Sequence, residues 1–331
     1  MGHMTIVSRA ADRLRRNCTA SCMVASDFDF RPSGPPSLRE HTFVRLPEHA
    51  HQFSVGGCIE FAPVTAILAA LNEFKCQIVV FSTFFSVDLV RAVNKAGMRS
   101  VLLTFPLRDT HWEAFHLRGY AELFSDVIVF ADLYEPTRDL PNQTRVAPLC
   151  SGASRSCFSR SVSKKILVLC GGGGRPSSQI MYDLVDSAKL ELSERGIALD
   201  WGISHGAKAR MTRPNEYSGL DWKPDLISWI HEYDIVISEA GFNTVIELVL
   251  SGRPALLVPG HRRIDNQELR AIKYEHRGCG VCCFPEEGPA CIANRIRQFL
   301  LDDEWLEAAR QRCVDEALAL TNWPSLEDVL S

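Results

Sequence analysis

Short apolar runs alternate with amphipathic stretches along most of the chain. The apolar runs predict buried strands, because strands that are covered on both faces lose the polar alternation of half-exposed ones. They lie at residues 77–81, 100–104, 126–130, 164–170, 235–237 and 254–259. Apolar positions at helical spacing predict helices over 58–74, over 87–96, from about 177, and over 303–320. This alternation predicts an α/β fold with parallel strands.

The N-terminal stretch follows the same pattern with more interruptions. A helix is predicted over about 5–16, and strands at 22–25 and 42–46 flank a turn rich in Pro and Gly. Residues 150–163 are rich in Ser and Gly without apolar periodicity, which is typical of a linker. We therefore expect one domain over residues 1–160 and a second over residues 161–316.

Composition and charge narrow the functional class. With 331 residues and 46% hydrophobic content, the chain can bury two cores of ordinary size. The net charge is −4 and the basic residues are dispersed, so no nucleic-acid partner is predicted. No apolar run reaches the roughly 18 residues that cross a bilayer, and no secretory segment follows the N-terminus. We expect a cytoplasmic protein without a transmembrane segment, and contact with a membrane surface stays open.

Twelve cysteines are spread through the predicted strands and helices. Without a secretion signal, reduced thiols are expected. The group Cys279, Cys282 and Cys283 contains a Cys-x-x-Cys spacing but has no second ligand pair nearby, so we interpret it as small buried residues in a strand. No metal site is predicted.

The most specific chemistry lies between residues 235 and 250. Gly241, Asn243 and Thr244 form a turn between a buried strand and a helix that runs through Leu250. A helix N-terminus presents backbone N–H groups and a partial positive charge, so it can hold a diphosphate without a metal ion. Glu247 follows one turn later, where a carboxylate could accept both hydroxyls of a ribose.

A second glycine-rich turn follows the predicted strand at 164–170. Its four consecutive glycines let the backbone approach a ligand closely, although such a turn alone occurs in many α/β folds. Both turns are expected at the carboxyl ends of parallel strands, where open α/β sheets bind ligands.

Residues 164–315 resemble the C-terminal domain of GT-B glycosyltransferases, particularly the family of the N-acetylglucosaminyltransferase that completes the lipid-linked cell-wall precursor. Gly241, Thr244 and Glu247 match the family's Gly-x-x-Thr-x-x-Glu helix, which binds diphosphate and ribose. Asp265 and Gln267 match the loop that touches the donor sugar. Glu239 departs from the family, because several relatives carry a basic residue there.

The resemblance implies two Rossmann-like domains that face a cleft, with the acceptor on the first domain and the donor on the second. It also implies that residues 317–331 cross back to the first domain, and that the base is read by backbone contacts near Leu226. The full set of predicted donor-binding residues is Gly171, Gly172, Gly173, Gly174, Leu226, Gly241, Phe242, Asn243, Thr244, Glu247, Asp265, Asn266 and Gln267.

The first residues resemble the family's Gly-x-Gly-His loop, which makes His3 the candidate catalytic base. A neutral imidazole can take a proton from an acceptor hydroxyl. In the family a hydrophobic strand precedes this loop, so we expect the N-terminal domain to lack its first strand. The alternative interpretation of Gly-His-Met is a cloning remnant or a chance tripeptide.

Five further polar residues are weaker candidates. His205 could face the donor and His111 could line the acceptor cleft. His261, Arg262 and Arg263 could meet phosphate or acceptor charge, although exposed basic residues usually do neither.

The predicted activity is transfer of a hexosyl or N-acetylhexosaminyl group from a nucleoside-diphosphate sugar to a hydroxyl or other nucleophile. The expected mechanism is inverting and independent of metal, with the nucleotide sugar as co-substrate and no other cofactor. One alternative is a nucleotide-sugar 2-epimerase or hydrolase of the same fold, and another is a non-catalytic nucleotide-sugar-binding subunit. The donor base, the sugar, the acceptor and the oligomeric state are left open.

Overall fold

The computed structural model describes residues 2–18, 23–26, 42–45, 64–136, 138–149, 165–169, 176–204, 218–220 and 226–330. The chain divides into two compact units. The N-terminal unit comprises His3–Leu149, Arg263–Asp265 and Thr321–Ser331. The C-terminal unit comprises Met1–Gly2, Cys150–Arg262 and Asn266–Leu320. The predicted linker at 150–163 lies outside the described residues.

Helices and strands alternate along much of the described chain. Up to residue 149 the order is α1 (Gly2–Cys18), β1 (Met23–Ser26), β2 (Thr42–Arg45), α2 (Val64–Glu73), β3 (Ile78–Ser82), α3 (Val87–Lys95), β4 (Arg99–Thr104), α4 (Asp109–Leu117), β5 (Asp126–Phe130) and β6 (Gln143–Val146). It continues with β7 (Lys165–Leu169), α5 (Pro176–Glu194), β8 (Asp200–Ser204), β9 (Ser218–Leu220), β10 (Ile235–Ser238), α6 (Phe242–Leu250), β11 (Ala255–Leu257), α7 (Gln267–His276), β12 (Gly280–Cys282), α8 (Gly288–Leu301), α9 (Asp303–Thr321) and α10 (Leu326–Leu330).

The N-terminal unit is built on a parallel sheet of four strands in the order β3-β4-β5-β6. β1 and β2 form a separate parallel pair. Phe85 anchors an aromatic cluster on this sheet, with ring centroids 5.7, 5.3 and 5.1 Å from those of Phe115, Tyr120 and Phe124 in edge-to-face geometry. Burial of these rings gives the unit its own apolar core.

The C-terminal unit contains a six-stranded parallel sheet in the order β12-β11-β10-β7-β8-β9. Counted from β7, this is the order 3-2-1-4-5-6 of the doubly wound fold that binds nucleotides in many enzymes. The strand interiors are fully buried, as Ile166, Val168, Ile235 and Ile237 illustrate. α5 and α8 pack in the same core through side chains such as Tyr182, Val185, Ile292 and Ile296. The parallel strands predicted from the continuous apolar runs are confirmed.

Two elements of the N-terminal unit were not predicted. α4 and β6 carry mixed polar and apolar sequences, DTHWEAFHL and QTRV, in which neither helical nor strand periodicity stands out. Each gains its stability from packing, since Trp112 and Phe115 of α4 and Val146 of β6 are buried.

In the described part of the chain, no helix has the length and apolar character to cross a membrane.

Candidate functional site

The order of strands in the C-terminal sheet creates a point where the connections diverge. β7 and β10 are parallel neighbours, and Leu169 at the end of β7 pairs with Ser238 at the end of β10. From β7 the chain continues to β8 on one side, whereas from β10 it continues to β11 on the other. A crevice opens at such a switch point, beyond the carboxyl ends of the strands. The segment Gly171–Gly174 follows Leu169 closely in sequence and lies outside the described residues.

The helix α6 begins directly beyond the end of β10. Its N-cap is Gly241, which has extended backbone angles (φ −66°, ψ 142°) and makes no side-chain cap hydrogen bond, and no acidic residue lies in the first turn. Asn243 and Thr244 are partly exposed, and Phe242 is buried. The predicted diphosphate position is therefore a helix N-terminus whose positive end is not offset by a carboxylate of its own first turn.

Glu247 lies one turn beyond Thr244 and is buried, with 6% of its surface exposed. Its predicted role as acceptor of the ribose hydroxyls stays a prediction.

The N-terminal half of α7 fixes the turn between β10 and α6. The fully buried guanidinium of Arg270 donates a hydrogen bond to the Ala240 carbonyl over 2.9 Å and lies over the Phe242 ring, 5.5 Å from its centroid. Asn266 caps α7 by accepting from the Leu269 N–H over 3.3 Å. Because hydrogen bonds to charged groups are among the stronger ones, Arg270 holds this turn in a defined conformation.

Gln267 and Asp265, both predicted to touch the donor sugar, have different surroundings. The Gln267 side chain is buried and its Oε1 accepts from the Gly260 N–H over 2.9 Å. Asp265 belongs to the N-terminal unit, where it forms an isolated antiparallel bridge with Leu107. The donor contacts of both residues remain predictions.

Glu239, the departure from the family pattern, is buried at the end of β10. Its Oε2 accepts a hydrogen bond from Arg262 Nη2 over 2.5 Å, and its Oε1 accepts one from Ser178 Oγ over 3.5 Å. The side chains of Arg262 and Glu239 are 12% and 7% exposed. Arg262 is therefore not the exposed basic residue that the sequence suggested.

Leu226 opens a short 3-10 turn, Leu226–Ser228, and is buried. Arg253 lies between α6 and β11. It stabilises the turn after Leu226–Ser228 by donating hydrogen bonds to the carbonyls of Tyr233 and His231 over 2.7 and 2.9 Å. Burial lowers the Arg253 pKa to about 10, so the guanidinium stays charged at neutral pH. Arg253 thus anchors the backbone of residues 231–233, which lies between Leu226 and β10.

The backbone conformation of His3 is helical, which differs from the predicted loop. His3 lies in the first turn of α1, which begins at Gly2, whereas the sequence predicted a loop up to about residue 5. His111 is buried in the first turn of α4 and hydrogen-bonds to the backbone of Arg263. Burial, followed by the charge of Arg263, lowers the His111 pKa below its usual value. His205 lies outside the described residues.

The cysteines whose side chains the structure describes carry free thiols, as expected. Cys282 lies in β12, and its thiol donates to Glu275 Oε2 over 3.0 Å. Burial, together with Glu275, raises the Cys282 pKa to about 12. Among the described residues, the three potential metal ligands that converge are Cys283, Glu287 and Cys291, whose ligand atoms lie within 4.8 Å of one another. The Cys-x-x-Cys pair, to which the sequence assigned no metal, does not belong to this group.

Sequence reasoning missed Arg270 and Ser178 and undervalued Arg262. Arg270 follows Gln267 by three residues, so helical spacing placed it on the same face of α7. Nothing in the sequence showed that this face meets the turn after β10.

The two parallel sheets, one of them doubly wound, are those of a GT-B glycosyltransferase fold. Solved structures with this fold match nearly the whole chain. The spinosyn forosaminyltransferase SpnP matches with a TM-score of 0.68 at 14% identity, covering 99% of this chain and 94% of that chain. The spinosyn rhamnosyltransferase SpnG, complexed with spinosyn aglycone, matches with a TM-score of 0.67 at 14% identity, covering 99% and 95%. The predicted fold class is confirmed.

The family comparison is more specific and centres on the second unit. Residues 166–319 match the model of the glycosyltransferase family 28 C-terminal domain. Two relatives are UDP-N-acetylglucosamine--N-acetylmuramyl-(pentapeptide) pyrophosphoryl-undecaprenol N-acetylglucosamine transferases. The one from Pseudomonas fluorescens (strain SBW25) is 29% identical over 154 residues, 44% of this chain and 42% of the relative. The one from Opitutus terrae is 26% identical over 183 residues, 52% and 47%. The matches span less than half of these relatives, and the predicted family resemblance is confirmed.

Proposed function

We propose that the protein is a glycosyltransferase that moves a sugar from a nucleoside-diphosphate sugar to a nucleophile on an acceptor. The observation that carries the proposal is the pairing of β7 with β10. It places Leu169, which precedes the glycine-rich segment in the sequence, beside Ser238, which precedes α6, at the switch point of a doubly wound sheet. This region coincides with the match to the family 28 C-terminal domain.

The donor residues follow from that placement. Backbone N–H groups at the start of α6, from Phe242 to Thr244, would bind the diphosphate, and Glu247 would accept the ribose hydroxyls. Gly171 to Gly174 would let the backbone approach the phosphates, and the backbone at Leu226 would contact the base. Asp265, Asn266 and Gln267 would meet the donor sugar.

The proposed chemistry is a single displacement with inversion. The acceptor nucleophile attacks the anomeric carbon while His3 takes its proton, and the bond from that carbon to the diphosphate oxygen breaks. The dipole and N–H groups of α6 then stabilise the negative charge that develops on the departing diphosphate. No metal ion or further cofactor takes part in this proposal.

The names of the curated relatives favour a UDP-linked N-acetylhexosamine as the first donor to test. Because the matches cover less than half of those relatives, they do not identify the acceptor. The cytoplasmic location predicted from the sequence is part of the proposal, and peripheral contact with a membrane is compatible with it.

Calorimetric titration tests the proposal most directly. The full chain would be titrated, without added metal, with the diphosphates of uridine, thymidine, guanosine, cytidine and adenosine, and then with sugars of the base that binds. We expect selective binding at one site per chain. A folded protein that binds none of these would contradict the proposal.

Turnover assays then separate the two alternatives. Consumption of the donor without an acceptor would indicate a hydrolase or an epimerase. Donor binding without turnover, restored by a partner chain, would indicate a non-catalytic subunit.

A further inference from the structure

A carboxylate stands where the proposed function needs to bind phosphate. Glu239 directly follows β10, two residues before Gly241, the N-cap of α6, and it is buried. Unpaired, its negative charge would repel a diphosphate, and the low dielectric of the site would strengthen that repulsion. The contacts of Glu239 therefore decide whether this site can accept an anion.

The positive charge of Arg262 offsets the negative charge of Glu239. Its Nη2 lies 2.5 Å from Glu239 Oε2, and only 12% and 7% of the two side chains are exposed. A guanidinium carries five N–H donors, and in the described structure the contact shown for Arg262 uses one nitrogen. The pair is neutral, and donors of the guanidinium are left for a ligand.

Two loops and the first turn of a helix bring these groups together. Glu239 follows β10, Arg262 lies in the connection after β11, and Ser178 lies in the first turn of α5, which follows the glycine-rich segment after β7. β7, β10 and β11 are adjacent in the sheet. Since Glu239 contacts both Ser178 and Arg262, the guanidinium is held at the carboxyl edge of these strands, where the switch-point crevice opens.

We infer that Arg262 binds the donor phosphates directly and that Glu239 is the positioning residue that holds its guanidinium in place. This inference rests on the proposed function and names a phosphate contact for that same site. A planar guanidinium can hold a carboxylate on one edge and a phosphate on the other, which an ammonium group cannot do with the same geometry. The chain thereby supplies from the loop after β11 a positive charge that it lacks at position 239.

The test compares a nucleoside diphosphate with its own nucleoside. The base is the one that the wild-type chain selects in the calorimetric panel. Arg262→Gln should weaken diphosphate binding about ten- to a hundredfold, since a hydrogen bond to a charged group is lost. Nucleoside binding should not change, because the base and ribose contacts lie elsewhere.

Removing one partner of a buried ion pair can unfold a protein, so a second variant keeps the test decisive. The double variant Glu239→Gln, Arg262→Gln leaves no unpaired buried charge and should melt near the wild-type temperature. We expect it to bind the diphosphate as weakly as Arg262→Gln does. Arg312→Gln, which removes a largely exposed guanidinium from α9, is the matched control and should bind normally.

Glu239→Gln alone tests the positioning role. It keeps an acceptor for Ser178 but releases Arg262, so diphosphate affinity should fall several-fold while nucleoside affinity is unchanged. Wild-type diphosphate binding by the double variant would overturn the phosphate contact, and tighter binding by Glu239→Gln would overturn the positioning role. If the wild-type chain binds no nucleoside diphosphate, the proposed function itself fails, which is a separate outcome.

Discussion

Glu247 is the residue whose predicted role can be isolated most cleanly. A carboxylate that accepts both ribose hydroxyls should distinguish a ribonucleotide from its 2′-deoxy form. We expect Glu247→Ala to weaken binding of the ribonucleoside diphosphate about ten- to a hundredfold, because a hydrogen bond to a charged group contributes about 1.5 to 3 kcal/mol. Binding of the 2′-deoxy analogue should change less. Titration of both ligands measures the difference.

Glu247→Gln serves as the control for that experiment, since it keeps the size of the side chain and one acceptor oxygen. It should fall between wild type and Glu247→Ala. An unchanged preference for ribose in Glu247→Ala, in a variant that melts as wild type does, would exclude the ribose assignment.

His111 gives the N-terminal unit a dependence on pH. Its pKa is lowered in the folded chain, first by burial and then by the nearby charge of Arg263. Below about pH 6.5, the ordinary histidine pKa, the unfolded chain therefore binds a proton that the folded chain resists. The free energy of unfolding should fall as the pH drops through this range.

Urea denaturation at a series of pH values checks this expectation. In His111→Gln, which keeps a donor for the Arg263 backbone, the slope between about pH 6.5 and 5 should be shallower than in wild type. Equal slopes would show that other groups govern the acid stability.

At the scale of elements, Gly280 controls how β12 joins the sheet. A Cβ at this position would lie 2.3 Å from the Ala255 carbonyl oxygen and 2.5 Å from Tyr274 Cε1, so backbone and ring would both have to move. Gly280→Ala should lower the free energy of unfolding by about 1 to 3 kcal/mol or more, as overpacking of cores does. Denaturant unfolding measures this loss.

Gly241→Ser is the matched control for stability. Its Cβ would come no closer than 3.7 Å to Gln267 Nε2, and serine is a favourable N-cap residue. The variant should fold as wild type does. A Gly280→Ala variant as stable as wild type would show that β11 and β12 can shift apart at little energetic cost.

The same elements show how far sequence reasoning reaches. The strands β4, β5, β7 and β10 were predictable because both their faces are covered, which leaves continuous apolar runs. β3 was predictable from a similar apolar run, although its Val80 is 36% exposed. The α6 turn was predictable because glycine and threonine stand at a strand-to-helix junction. α4 and β6 were missed because packing, rather than periodicity, stabilises them.

The pairing of Glu239 with Arg262 shows the limit for the candidate site. The two residues are 23 positions apart on different loops. Only the order of β10 and β11 in the sheet brings them together. Local patterns identify a residue's type and element, but they contain no information about which loop meets which.

At the scale of the molecule, the last residues of the chain belong to the N-terminal unit although they follow the C-terminal one. The Ala147 N–H donates to the Pro324 carbonyl over 2.9 Å, and the Arg145 guanidinium lies over the Trp323 ring, 5.6 Å from its centroid. Leu326 and Leu330 are buried. Residues 321–330 therefore contribute to the packing of the N-terminal unit.

Leu326→Ala tests this contribution. The side chain is 1% exposed, so truncation should remove about 2 to 5 kcal/mol of stability from the unit that contains it. In hydrogen exchange followed by mass spectrometry, peptides from 64–149 should exchange faster while those from 226–320 keep their protection. Leu318→Ala, which truncates a side chain that is 52% exposed on α9, should change neither set. Faster exchange confined to 226–320 would show instead that the final segment stabilises the C-terminal unit.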